Sequence, residues 1–424
     1  MIVDGRNGAP ALRSRYEHVR RLLPLPDTLA PELLVPLDER EITRYVLREW
    51  SLPTGVRRLV RNAVAGSVLR FTTLPDVRAS VTVAQRDLGT PFLVRAAHEL
   101  GVPGDADWYL TLGHGDVLTR AVFHLFERGA GRPSWILKFS RVPGYSDPFD
   151  RDERALRLVA ESGATVAAHA PRLLGRFEVH GFHAALETAA VGRKLTLFLQ
   201  RRGNADTKRR LVDDIASWLI EVGSSTRAAP SALDAERARM RDEVLPLWSD
   251  HDVADVIDAL PPVPAVLQHN DPGCWNIVVE RGRFTAVDWE SARRHGFPLW
   301  DLVYFLTDAL VHLDGADIPP ARRDRHMQQL WKGEAPSSPI LHGWVRRGAD
   351  ALGIRHEDVG RIVMLGWLHH GTSHLRRANS GGRHGIVLDD ASNQPLSFRA
   401  ARIWLTDPAL GCEWPAWRSR AAAS

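Results

Sequence analysis

The densest set of side chains able to do chemistry is Gln268-His-Asn-Asp-Pro-Gly-Cys-Trp-Asn276, which ends twelve residues before Asp288 in Val287-Asp-Trp-Glu290. Asp271, Asp288 and Asn276 bring two carboxylates and an amide to loops at the ends of short apolar strands. Loops of that kind present side chains to a cleft rather than to a core. Asn276 and Asp288 supply oxygen ligands, which suit a hard cation such as Mg²⁺. Asp271, five residues before Asn276, is a third oxygen donor. A carboxylate beside a metal–phosphate centre can accept a hydroxyl proton. A plainer reading stays open on these residues alone, because Asn, Asp, Pro and Gly also serve turns for local backbone reasons.

His269-x-Asp271-x₄-Asn276 followed by Asp288 resembles the catalytic and metal-binding segment of the aminoglycoside phosphotransferase and choline kinase group. These are small-molecule kinases with a protein-kinase-like fold. Asp271-Pro-Gly-Cys-Trp-Asn276 resembles the variant in which Pro-Trp-Asn precedes the metal strand, with Cys274 in the proline's place. Val287-Asp-Trp-Glu290 and Gly296-Phe-Pro-Leu-Trp-Asp301 match the group's pattern after the metal aspartate. The resemblance implies Asp271 as catalytic base and Asn276 and Asp288 as Mg²⁺ ligands. His269, counted with the catalytic set, and Asp301 then brace the loop. It also implies ATP as phosphoryl donor, with GTP left open, and a small hydroxylated metabolite as acceptor. Trp275 and Glu290 are the candidate acceptor contacts, and Cys274 reads as an inert small residue rather than a nucleophile.

A nucleotide kinase further needs a cation on its triphosphate and a carboxylate to hold that cation. Only four of the 55 basic residues are lysines: Lys138, Lys194, Lys208 and Lys332. Lys138 stands in Trp135-Ile-Leu-Lys-Phe139, a strand pattern in which Ile136 and Lys138 share a face. Glu153 lies on the following helix, and its spacing from Leu156 favours it over Asp152 for the inward face. Gly113-His-Gly-Asp116 sits between two strands, where a loop would cover the phosphates through Gly113 and Gly115. It is neither G-x-G-x-x-G nor a Walker loop, and a plain hairpin turn fits it equally. Glu187-Thr-Ala-Ala190 precedes Gly192 and reads as the connection between lobes. Its backbone at Glu187 and Ala189 would meet the adenine edge.

The elements that must position these groups follow from the pattern. Residues 1–104 contain amphipathic stretches at Glu41–Trp50 and Pro91–Leu100 but no motif, and form an N-terminal extension of unknown role. Asp107–Leu112, Arg120–Glu127 and Trp135–Phe139 read as strands. Asp147–Glu161 has helical spacing, with Phe149, Leu156, Val159 and Ala160 on one face. Phe177–Val179 and His183–Glu187 read as a hairpin. Lys208–Thr226 is an amphipathic helix, and Ala265–Gln268, Ile277–Glu280 and Phe284–Asp288 are short strands. Helices follow from Leu299 to about residue 410. The fold class is therefore α+β and bilobal. Residues 105–190 form a small antiparallel nucleotide-binding sheet lobe with one helix, and 191–424 a larger helical lobe with the catalytic loop.

Composition excludes several classes. The chain has 424 residues, 44 % hydrophobic and 25 % charged, which suits a globular protein with a sizeable core. Two cysteines cannot build a disulfide framework. The N-terminus has no signal-peptide core and no apolar run reaches a membrane-spanning length, so a cytoplasmic location is expected. The net charge of +4 comes from scattered residues, giving no nucleic-acid stripe. From Trp300 onward 13 acidic residues stand against 15 Lys and Arg, so there is no acidic funnel for a polycationic aminoglycoside. A neutral or anionic acceptor such as a sugar or glycoside fits better, with amino alcohols and antibiotic-like acceptors also in the class. Two rivals remain. One is a nucleotide-binding regulator that does no chemistry. The other is a metallohydrolase built on His370 and His374, four residues apart beside His369.

Overall fold

The structure is a computed structural model. It describes residues 2–4, 18–25, 32–36, 39–49, 81–85, 90–112, 120–201, 203–249, 251, 253–315, 320–380 and 396–414. The chain divides into two compact units, 1–150 with 171–193 and 151–170 with 194–424. Among the described residues no helix is long and apolar enough to cross a membrane.

The first unit is an antiparallel sheet of nine strands: β1 (Ile2–Asp4), β2 (His18–Leu25), β3 (Leu33–Pro36), β4 (Val81–Gln85), β5 (Asp107–Thr111), β6 (Ala121–Phe126), β7 (Trp135–Phe139), β8 (Leu173–Val179) and β9 (Phe182–Thr188). Their order is β1-β4-β2-β3-β5-β6-β7-β9-β8. Strands β1–β4 thus extend the same sheet, a difference from the expectation that strands begin at Asp107. The sheet is covered on both faces, which explains adjacent apolar pairs in single strands. Leu22, Trp108 and Leu125 enter one core with Leu93 and Val94 of helix α2 (Phe92–Ala96). Their neighbours Leu23, Tyr109 and Phe126 enter the other with Ile42, Tyr45 and Val46 of helix α1 (Arg40–Glu49). Successive side chains of a strand point to opposite faces, so a two-sided sheet makes continuous apolar runs rather than alternation.

Helix α3 (Asp147–Glu161) buries Phe149, Asp152, Ala155, Leu156 and Val159, leaving Ala160 exposed and Glu153 half-buried. At ~100° per residue, the buried stripe is centred close to Asp152 and Glu153 lies roughly a quarter-turn away. The inward acid of this helix is therefore Asp152, which corrects the sequence choice of Glu153. The short helix α4 (Ala164–Ala167) follows.

The second unit is mainly helical. It holds α5 (Leu195–Gln200), α6 (Ala205–Ser225), α7 (Asp234–Arg239), α8 (Trp300–Leu313), α9 (Pro320–Lys332), α10 (Ser338–Leu352), α11 (Val359–Ser380) and α12 (Leu396–Thr406). Helix α6 begins three residues before its apolar pattern does. Asn204 caps it by accepting from the N–H groups of Asp206 and Thr207 at 2.8 and 3.2 Å. Helix α8 is buried on nearly every side and packs against α5, α6 and α10. Short strands β10 (Arg193–Lys194), β12 (Ile277–Glu280) and β13 (Arg283–Ala286) form one sheet, and β11 (Val266–Gln268) pairs with β14 (Arg293–Gly296).

Candidate active site

The loop from His269 to Asn276 is held by one face of α8. Asp301 and Asp308 are seven residues apart, two helical turns, and so project on the same side. Asp301 accepts the N–H of His269 at 2.6 Å through Oδ2 and that of Asn270 at 2.9 Å through Oδ1. Asp308 accepts the N–H of Cys274 at 2.9 Å and is itself held by Arg323 of α9 at 2.6 Å. Tyr304, between them on the helix, meets the Trp275 ring edge to face at 6.2 Å. A helix buried on all sides tolerates two carboxylates only because they hydrogen-bond to something. Here that something is the loop backbone. Gly273 allows the loop to close: a Cβ there would lie 2.4 Å from the Trp275 ring.

Asn276, Asp271 and Asp288 are brought together by short-range structure. The Asn276 amide nitrogen donates to the backbone oxygen of Asp271 at 2.9 Å and to its Oδ2 at 3.0 Å. The β12–β13 pairing aligns Ile277 with Ala286, and the Val287 N–H donates to the Asn276 carbonyl at 2.8 Å. Asp288 is the next residue and turns away in the left-handed region, at φ 69°. Two loop residues twelve apart in sequence thus sit at the open end of one hairpin. With the amide nitrogen committed to Asp271, Asn276 keeps its carbonyl oxygen as a ligand end. An amide oxygen with the Asp288 carboxylate is the hard donor set that fits Mg²⁺.

In the sheet unit, Lys138 and Glu187 form an ion pair at 2.6 Å, with side chains 8 % and 2 % exposed. β7 pairs with β9 so that Lys138 lies opposite Ala185 and Ile136 opposite Glu187, which makes Lys138 and Glu187 diagonal neighbours on one face. Glu187 therefore acts through its side chain, while its backbone lies in a strand paired on both sides. The N–H of Ala189 donates to the Ser134 carbonyl at 3.0 Å, so that donor is committed within the sheet unit. The strand pairing of Glu187 and this bond at Ala189 differ from the open backbone expected there. Glu153 pairs with Arg157, one turn along α3, at 2.5 Å. Gly113 and Gly115 lie outside the described residues.

Residues 115–334, just over half of the chain, match the phosphotransferase enzyme family. This chain belongs to that family. Its members are phosphotransferases, and an antiparallel sheet unit followed by a mainly helical unit is the α+β arrangement expected from the sequence. No curated protein matches the chain significantly. Among solved structures it is similar to the aminoglycoside phosphotransferase APH(3'')-Id of Streptomyces rimosus, solved with ADP and streptomycin. That match has 15 % identity and a TM-score of 0.37, covering 66 % of this chain and 95 % of the other. It is similar also to an aminoglycoside-3'-phosphotransferase of type VIII, at 16 % identity and a TM-score of 0.35, covering 62 % and 98 %.

Electrostatics distinguish the residues of this phosphotransferase. Burial lowers the pKa of His269 against the opposing pull of the Val287 carbonyl and the Asp288 and Asp152 carboxylates. Its Nε2 lies 3.0 Å from that carbonyl, which only accepts, so Nε2 carries the proton and the neutral ring braces the loop. Burial raises Asp301 to about 7, while its two backbone hydrogen bonds pull it down. Bonds to a charged group contribute ~1.5–3 kcal/mol each, against several kcal/mol to desolvate a carboxylate, so the two effects are close in size. Burial and Asp308 push the Cys274 thiol well above its usual range, consistent with an inert residue. Arg151 donates to the Glu290 carbonyl at 2.9 Å, fixing the backbone two residues after Asp288.

Sequence reasoning missed Asp308, and it set Asp152 aside although a carboxylate inside an apolar stripe was its signal. It noted Lys194 only for its rarity. The Lys194 side chain is exposed overall, yet the protein around it lowers its pKa, with the Asp288 carboxylate opposing. The histidine cluster lies on one continuous helix, α11, which runs through Gly371. A Cβ there would come within 3.2 Å of Ala401 and Phe398, so the glycine lets α11 and α12 approach closely. His369 has partners on both ring nitrogens and His374 Nδ1 meets Ser397 at 2.6 Å. Among the described residues no group of His, Cys, Asp and Glu is arranged to hold a metal ion.

Proposed function

We propose that the chain is a small-molecule kinase that transfers the γ-phosphoryl group of ATP to a hydroxyl. Asp271 orients the acceptor hydroxyl and takes its proton. Asn276 and Asp288 hold Mg²⁺ through oxygen, and what the cation supplies when bound is neutralisation of phosphate charge. Lys138 places a fixed positive charge on the triphosphate, with Glu187 on the neighbouring strand orienting it. Asp152 replaces Glu153 as the acid of α3 that belongs to this set. Catalysis is then mainly positioning and charge complementarity. The acceptor is a neutral or anionic hydroxylated metabolite, a sugar or glycoside for example, given the 13-to-15 charge balance of the C-terminal region.

The observation that carries the reading is the 3.0 Å bond from the Asn276 amide to Asp271 Oδ2. It ties the residue read as a cation ligand to the carboxylate read as the base, and so supports their acting at one centre. A screen of hydroxylated metabolites for acceptor-dependent ADP formation tests it, with Asp271→Asn in parallel. Tight Mg·ATP binding with no acceptor-dependent ADP would instead favour a nucleotide-binding regulator.

A further inference from the structure

His369 of α11 lies 99 residues from Asn270 in sequence, yet its Nε2 meets Asn270 Oδ1 at 2.9 Å. Its other nitrogen, Nδ1, meets Arg239 Nη2 at 2.9 Å. A guanidinium only donates, so Nδ1 accepts, and the ring proton sits on Nε2 and is given to Asn270. The ring is 1 % exposed and stacks on Trp300 at 5.1 Å. Burial and the nearby positive charges hold its pKa well below the usual range, which keeps it in this neutral form. Arg239 is fixed in turn by Glu236, at 2.8 and 2.5 Å, and Glu236 also accepts from Arg293 at 3.0 Å.

Asn270 is the residue immediately before Asp271, and it sits in the left-handed region at φ 66°. Its N–H is held by Asp301. The backbone of this turn is thus fixed from α8, and its side chain from a separate element, α11. Asn tolerates that backbone, but an exposed turn residue would keep its side-chain freedom. Here that freedom is removed by a histidine whose protonation state is set on its far side.

We propose that His369 is a positioning residue for the catalytic loop: through Asn270 it fixes the turn that aims Asp271. The proposal deepens the kinase reading, and rests on it only for the activity readout.

Two variants separate positioning from packing. His369→Phe keeps a ring against Trp300 and removes both hydrogen bonds. His369→Gln offers a donor and an acceptor again. We expect His369→Phe to lower kcat by ~10–100-fold with the Kd for Mg·ATP unchanged within a few-fold, and His369→Gln to recover most of that loss. In an Asn270→Gly background, which keeps the left-handed turn but lacks the acceptor, His369→Phe should cost little more. Hydrogen exchange in the 269–276 peptide should rise in His369→Phe and return in His369→Gln. Unchanged exchange there, or an equal effect of His369→Phe with and without the Asn270 side chain, overturns the proposal. A wild-type protein that forms no ADP with any acceptor counts against the kinase reading instead, and the exchange experiment still decides this one.

Discussion

The loop from His269 to Asn276 and the strand carrying Lys138 both carry charge that the proposed phosphoryl transfer would use, but they are held in different ways. The loop is fixed through its backbone: Asp301 takes two N–H groups, Asp308 takes a third, and Asn276 closes on Asp271. Lys138 is held through the end of a flexible stem by a carboxylate on the next strand. Backbone bonds fix a direction before any ligand arrives, which is what electrostatic preorganisation requires. The difference suits the proposed roles, since a base and cation ligands must not move, while a phosphate-binding lysine needs only its charged tip oriented by the neighbouring carboxylate.

The most severe test of the rigid half is Asp288→Asn. It removes the charge that holds the cation and should bring transfer to background with the melting temperature little changed. Near-normal turnover in that variant would falsify the assignment of Asp288. Asp271→Asn comes next. Transfer should fall by ~10²–10⁴, the usual worth of a positioned general base, while Mg·ATP affinity stays within a few-fold. Calorimetric titration decides this, because affinity lost in step with turnover would make Asp271 a ligand or a structural residue.

The sheet half should respond more gradually. Lys138→Ala is expected to lower kcat/KM for ATP by ~10²-fold or less, and Glu187→Gln by a smaller factor, since it only orients the lysine. Within α3, Asp152→Asn should reduce activity more than Glu153→Gln, which faces Arg157. The opposite ranking restores Glu153 to the site.

The smallest expected effect concerns the buried carboxylate of Asp301. Its folded pKa, about 7, lies above the ordinary value of 3.8, so the folded state binds its proton more tightly than the unfolded state does. Its contribution to stability is therefore fully present below pH ~4 and is lost as pH rises through ~7, by up to a few kcal/mol. The melting temperature of wild type relative to Asp301→Asn should decline between pH 5 and pH 8. A flat difference would show that the two backbone N–H groups outweigh the burial.

Much of this arrangement was legible in the sequence where local signals agreed. β7 and α3 fall at Trp135–Phe139 and Asp147–Glu161, as their periodicity predicts, and β12 at Ile277–Glu280. The meeting of His269, Asp271, Asn276 and Asp288 was legible because they are close in sequence. The choice between Asp152 and Glu153 was lost because one apolar neighbour, Leu156, was used in place of the whole stripe. β2, His18–Leu25, was missed because paired arginines and a proline interrupt any alternation. β14, Arg-Arg-His-Gly, reads as a polar turn, and only its partner β11 makes it a strand. Asp308 and His369 were beyond reach for a different reason: each acts on a loop residue far away in the chain, and no local pattern records that meeting.

β3 joins β5 through Leu33 opposite Thr111 and Leu34 opposite Leu110. Strands β1–β4 therefore occupy what would otherwise be an open flank of the sheet. Stripped of them, β5 would offer unpaired N–H and C=O groups at Leu110 and Thr111, a template for pairing with another chain. Over the two residues it pairs, β3 removes that template. A chain starting at residue 105 should elute from a sizing column as associated species, and a well-folded monomer would show that the flank needs no guard.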